Sequence, residues 1–179
     1  LFPERFQWPG VYSTGMDDDL RRSFIRAVAE SRIVAAFEGY EHTYSHAGAN
    51  GPFDVATANG QARDAAQRLL TAFREGRYRE TQLDVLPAYD LVFGFGGQFG
   101  RGASAGLLWM DFEHMREAAP PQVVGHSRQH RVTRTGNAIC ENVIRTNLGT
   151  PGGEAVVIER PDGIAAVTNT GSGATVTEL

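Results

Sequence analysis

Cysteine is almost absent from the chain. Cys140 stands alone, so no intrachain disulfide can staple the fold, and cysteine usage does not diagnose the compartment. A lone thiol in an apolar segment reads as a small buried hydrophobe. No apolar run approaches the roughly 20 residues that span a bilayer, so no membrane partner is expected. A basic excess is also missing. The formal net charge is −4 with a pI near 5.7, and local arginine groups (Arg74, Arg77 and Arg79; Arg128, Arg131 and Arg134) are outweighed by carboxylates elsewhere, which argues against nucleic acid. A soluble protein is expected, with a cytoplasmic setting favoured over others. What is plentiful is glycine, 21 residues in 179, which points to turns and bulges rather than long helices.

The length suits one domain, residues 1–179. Residues 1–16 place Phe2, Phe6, Trp8, Val11 and Tyr12 among prolines and glycines. They read as an extended N-terminal arm that packs across the body or joins subunits into a homo-oligomer. Asp17-Asp18-Asp19 supplies an N-cap and first-turn carboxylates. Leu20, Phe24, Ala27, Val28, Val34 and Phe37 then recur at near-helical spacing, predicting a helix from about 18 to 32 that either runs on to 38 or gives way at 33–37 to the strand carrying the first histidines. A second helix opens at Asp54 or Thr57, carries Ala58, Ala62, Ala65, Ala66, Leu69 and Phe73 on one face, and ends near Gly76. From residue 81 onward the pattern predicts strands at 83–86, 89–95, 106–112, 123–135 and 138–148, with one or two helical turns at 113–119. Arg160-Pro161-Asp162-Gly163, between 155–159 and 164–168, is the clearest hairpin signal. The tail, 169–179, is rich in Gly, Ser and Thr and is expected to fray. The fold class expected is α+β, with two N-terminal helices packed on a mainly antiparallel, hairpin-connected sheet.

Two segments concentrate chemistry. In 40–46, Tyr40, His42, Tyr44 and His46 fall on one face if the segment is a strand. In 126–130, Arg128 lies between His126 and His130. Each histidine pair reads His-x-x-x-His. On a helix both rings could reach one metal; on a strand they stand roughly 13 Å apart and could not. Strand character is favoured in both segments, and neither pair carries the Glu of a His-Glu-x-x-His site, so no cofactor is expected. A divalent metal with ligands drawn from both runs is the second alternative to the leading function.

That leading function is a small-molecule enzyme of hydrolase, lyase or isomerase type. His42, His126 and His130 are the candidate proton-transfer residues, because imidazole titrates nearest neutral pH. Tyr40, Tyr44 and Trp109 are the candidate pocket walls, and Arg128 the candidate partner for an anionic group. Asp90, Asp111 and Glu141 lie in apolar segments and are candidate orienting or proton-accepting carboxylates. The ordinary explanation for each histidine is a polar sheet face satisfied by neighbours. The glycine-rich stretch 94–102 does not match Gly-x-Gly-x-x-Gly, since residue 99 is Phe, and a strand is expected after it; it reads as a loop or bulge. No Gly-x-Ser-x-Gly motif presents Ser104, Ser127 or Cys140 as a nucleophile. The alternative to an enzyme is a non-catalytic assembly or binding subunit.

Overall fold

The computed structural model describes residues 17–97, 100–147 and 153–179, and the N-terminal arm lies outside them. The described chain is α+β, with no helix long and apolar enough to cross a membrane. Helix α1 spans Asp18–Ala29 and is capped as its sequence predicts: the Asp17 carboxylate accepts the Leu20 N–H at 2.7 Å. Helix α2, Val55–Arg74, is capped in the same way by Asp54 on the Thr57 N–H. Its buried alanines let the neighbouring backbones approach closely. It packs on α1, on α3 (Tyr78–Ala88) and on α4 (Asp90–Phe93). It also meets the first strand of the main sheet.

That sheet has five short strands in the order β1-β2-β3-β5-β4. They are β1 Ala36–Glu38, β2 Thr43–Ser45, β3 Gln122–Val124, β4 Thr133–Thr135 and β5 Ala138–Cys140. The expectation of a mainly antiparallel sheet fails here. β2 pairs parallel with β3, and β3 parallel with β5. Only the outer pairs, β1–β2 and β4–β5, are antiparallel. The physical reason is visible in β3, which is buried at every position. Strands covered on both faces read as apolar runs without alternation, and that run stops at Gly125. The polar residues that follow cannot continue through the middle of a sheet. The single long strand expected at 123–135 is therefore two short strands joined by a loop. Strand β5 ends equally early, and α5 (Ile144–Asn147) lies within the return strand expected at 138–148.

Three other strand expectations are overturned. Residues 83–86 lie in α3, where Gln82 and Val85 are buried three positions apart while Leu83 is exposed, a helical rather than an alternating pattern. Residues 89–95 hold α4, closed by the Gly94 N–H on the Asp90 carbonyl. Residues 106–112 form turns leading to a short 3-10 helix, Phe112–His114. Gly106 permits this: a Cβ there would lie 2.6 Å from the Asp90 carbonyl oxygen, so the backbone docks against α4 instead of extending.

The hairpin forms as expected. β6 (Ala155–Arg160) and β7 (Gly163–Asn169) pair antiparallel with Arg160 opposite Gly163. The tail expected to fray supplies β8, Ala174–Glu178, on the far side of β7. This three-stranded sheet packs Val157 and Ile164 against Tyr44, Val123 and Ile139 of the main sheet.

One carboxylate fastens the two sheets. Glu159 of β6 accepts the backbone N–H groups of Tyr40, Glu41 and His42 at 3.0, 2.9 and 3.0 Å. It also accepts the His42 Nδ1–H at 2.8 Å and the Tyr44 hydroxyl at 3.0 Å. Its side chain is 6% exposed. Burial alone would raise the carboxyl, but the Glu41 N–H, the His42 ring, the Tyr40 N–H and the Tyr44 hydroxyl outweigh it and hold the group at about 2. Its stabilisation is therefore complete above the ordinary value of 4.5 and fades as pH falls toward about 2. Glu159→Gln should cost about 2–3 kcal/mol at neutral pH in urea denaturation. The gap between wild type and variant should close across that acid window; a gap that is independent of pH would count against the latch.

Candidate functional site

The three central strands run parallel, so their carboxyl ends share one edge. In open sheets with parallel strands this edge is where ligands bind, because the chain leaves the strands there and side chains are free of the ladder. The last paired residues are Ser45, Val124 and Cys140. The ladder continues one step beyond them. The Gly125 N–H donates to the His46 carbonyl at 3.0 Å, and the Glu141 N–H to the Val124 carbonyl at 2.9 Å. His46, Gly125 and Glu141 thus stand side by side at the ends of β2, β3 and β5. With strands about 4.8 Å apart, the outer two backbones are separated by about 10 Å. Gly125, between them, has open space where a side chain would be: a Cβ built on it meets nothing within 4 Å. The result is a notch with an imidazole on one side and a carboxyl on the other. It belongs to a cleft of about 370 Å³ whose other walls include Val34, Tyr44, Leu108 and Val123. Ser45 also lines it, and its Oγ is buried with no hydrogen-bond partner among the described residues.

His126 backs the notch. Its Nδ1 lies 2.8 Å from His46 Nε2, with the rings nearly perpendicular at 74°. Its Nε2 lies 2.8 Å from Arg101 Nη2. A guanidinium can only donate, so His126 Nε2 must accept. The neutral ring then carries its proton on Nδ1 and donates to His46 Nε2. His46 in turn must carry its own proton on Nδ1, as a hydrogen-bond donor. Arg101 is held by Asp111 at 2.5 Å, and Asp111 also accepts the Ser127 hydroxyl at 3.3 Å. Ser127 Oγ accepts the Phe112 N–H at 2.7 Å, tying the cluster to the 3-10 turn.

The electrostatics agree with this chain of donors. Burial, then the neighbouring His46 and Arg101, lower His126 to about 4 against a smaller opposing pull from Asp111. Burial and Arg101 also lower His46. Glu141 moves the other way: burial raises its carboxyl, partly offset by the Val157 backbone N–H. The cleft therefore sets a neutral imidazole donor opposite a carboxyl raised above its usual range.

The residues singled out from sequence are dispersed. One histidine of each run meets the other, but the pair is His46 with His126. His42 is 12% exposed and committed to Glu159. Tyr44 lines the cleft and bonds Glu159; burial first, then Glu159 and Glu141, push its hydroxyl up. Tyr40 is 67% exposed, and Trp109 is buried in the core beside Phe95. Arg128 and His130 are exposed on the loop between β3 and β4, where the Asn147 amide bonds the His130 carbonyl. The guanidinium at the histidine pair is Arg101, which the sequence reading passed over, as it did Gly125. Gly125 carried a readable signal, since it ends an apolar run directly before a histidine. Among the described residues, no group of three or more His, Cys, Asp or Glu side chains is arranged to hold a metal ion. A larger cavity, about 700 Å³, lies beside α4 and is lined by Phe53, Asp90 and Ser104 among others. Asn50, its amide, is already spent on the Ala103 and His114 carbonyls and the Arg116 N–H. No histidine lines it.

The tautomer assignment is open to test. Nitrogen-15 spectra of the His126 ring at neutral pH should show Nδ1 protonated and Nε2 bare; the reverse would break the donor chain. A folded value near 4 against 6.5 unfolded means the unfolded chain takes up more protons between them. Stability from this group is present above 6.5 and is lost as pH falls toward about 4. Thermal unfolding of wild type should show that slope, and His126→Gln should lose the part of it that His126 contributes. Compared with known proteins, the chain matches no family model, no curated protein and no solved structure.

Proposed function

We propose that the chain is a small-molecule enzyme of hydrolase, lyase or isomerase type, using acid–base chemistry in the notch over Gly125. The observation that carries this reading is the open rung itself: His46 and Glu141 flank Gly125, above which a Cβ would meet nothing within 4 Å, at the carboxyl ends of parallel strands. Glu141 is the base, drawing a proton from a carbon or a water in the gap. Burial raises its carboxyl, which makes it a stronger proton acceptor than an exposed one. His46 presents its Nδ1–H to the oxygen on which negative charge develops. A neutral imidazole held in one tautomer is a suitable electrophile for that purpose. His126 and Arg101 are positioning residues that fix the tautomer. The sequence contains no lysine, so no side-chain amine is available for a Schiff base.

A second reading, an assembly or binding subunit, is favoured by exposed apolar side chains at Leu20, Phe24, Val34 and Phe37 and at Val156, Ile158 and Val176. Sedimentation separates the two, since assembly requires an oligomer whose mass changes when residues 1–12 are deleted.

The enzyme reading is tested by screening ester, amide, enolisable-ketone and β-elimination substrates with wild type, Glu141→Gln, His46→Gln and Gly125→Val. Turnover should fall at least a hundredfold in each variant. Gly125 has an ordinary backbone and free space above it, so Gly125→Val should keep the wild-type melting temperature within a few degrees. Turnover that survives in all three folded variants would sink the assignment.

A further inference from the structure

The charges around the notch are unbalanced in one direction. Arg101 is the cation beside the histidine pair, and its charge is matched by Asp111 at 2.5 Å. It also stands behind His126, on the side away from His46. Both histidines are held neutral. Arg134 lies on the outer strand β4, opposite Ile139, but its Nε turns to the Gly136 carbonyl at 2.7 Å. Against these stand Glu141 on the rim and Glu159, ionised and bonded to the Tyr44 hydroxyl. Tyr44 senses both carboxylates. Val34 and Leu108 line the same cleft and offer apolar surface. Among the described residues lining the cleft, no positive group is present to meet an anion. A cation would find a carboxylate, an aromatic neighbour and an apolar wall, the combination that suits an alkylammonium. The unpartnered Ser45 Oγ adds an acceptor on the same lining.

We propose that the cleft takes a small primary amine with an apolar body, its ammonium group on Glu141 beside Tyr44 and its hydrocarbon part along Val34 and Leu108. This deepens the reading of the preceding subsection and rests on it for the location of the site. It also reverses the anionic preference that an arginine between two histidines suggests in the sequence, because Arg128 is exposed and Arg101 is already paired.

The experiment uses n-butylamine, n-butanol and butyrate as probes, with the full chain in wild-type, Glu141→Gln and Gly125→Val forms. Binding is followed at pH 7.5 by amide and histidine-ring resonances, reading Gly125 and His46. Butylamine should shift both resonances and bind at least tenfold tighter than butyrate, with butanol between them. Glu141→Gln should remove at least tenfold of the butylamine affinity, and Gly125→Val should remove binding while the spectrum stays folded. Butyrate binding as tightly as butylamine while shifting the same resonances would overturn the amine preference and leave the acid–base site standing. Amine binding that survives Glu141→Gln would also overturn it. Failure of all three probes to move Gly125 or His46 would remove both the amine preference and the site.

Discussion

The structure depends on a buried carboxylate. Glu159 sits between the two sheets and gathers five donors, three of them consecutive backbone N–H groups. Taking a carboxylate out of water costs several kcal/mol, so the arrangement persists only because every donor is aimed at it. Three consecutive N–H groups converging on one anion form a concave nest. In many proteins such a nest holds a bound phosphate; here the chain fills it with its own side chain, 117 residues away from the last N–H in sequence. The consequence reaches the cleft. The nest fixes the turn that carries Tyr40 to His42, and that turn leads directly into β2, which places Tyr44 and His46. Gly39 shares the constraint, since a Cβ there would overlap the Glu159 carboxylate.

From this latch follows the geometry of the central strands. β2, β3 and β5 are three residues each, and a three-residue strand has little pairing of its own to fix its register. Register comes from the buried faces: Tyr44, Val123 and Ile139 toward the second sheet, and Val124 and Cys140 toward the opposite core. Gln122, fully buried, adds a polar pin by bonding both the N–H and the carbonyl of Ala49 and the carbonyl of Pro120. A slip of one residue would turn Tyr44 into the other core and His46 away from Glu141. Burial of the strands and placement of the notch are therefore one condition rather than two.

Helices α1 and α2 and the β6–β7 hairpin were legible because local chemistry decides them: Asp17 and Asp54 cap, the alanines repeat at helical spacing, and Pro161-Asp162-Gly163 turns. The region from 78 to 112 was not legible. In Tyr78–Ala88 the short apolar run Leu83, Val85 and Leu86 imitates a strand, whereas the burial of Gln82 and Val85 with Leu83 exposed follows a helix that no cap or long apolar stripe announces. The parallel pairing was hidden for a different cause. β2 and β3 are 76 residues apart between Ser45 and Gln122, and nothing local announces which distant strand will lie alongside. The period-two reading of 40–46 supposed seven extended residues. The strand proper is 43–45, so His42 belongs to the latch and His46 to the cleft. The same error lengthened 123–135 and moved attention to Arg128 and His130, which the loop leaves exposed.

The histidine pair shows why residue type alone misleads about charge. Two imidazoles and an arginine in a cleft read as a positive site when each is taken at its solution value. In the fold, Arg101 spends two donors on Asp111 and His126, and the acceptor it demands from His126 propagates through the ring to His46. Protonating either ring would put a second donor opposite a donor, at the guanidinium or between the rings, so the neutral state is required by the hydrogen-bond directions as well as by burial. Arginine suits this place because a guanidinium stays protonated and its Nη2 can give one N–H to Asp111 and the other to His126. The positive charge is thereby locked behind the rings. Among the described side chains lining the cleft, the charged one is the carboxyl of Glu141, and the imidazole of His46 stands on the same lining.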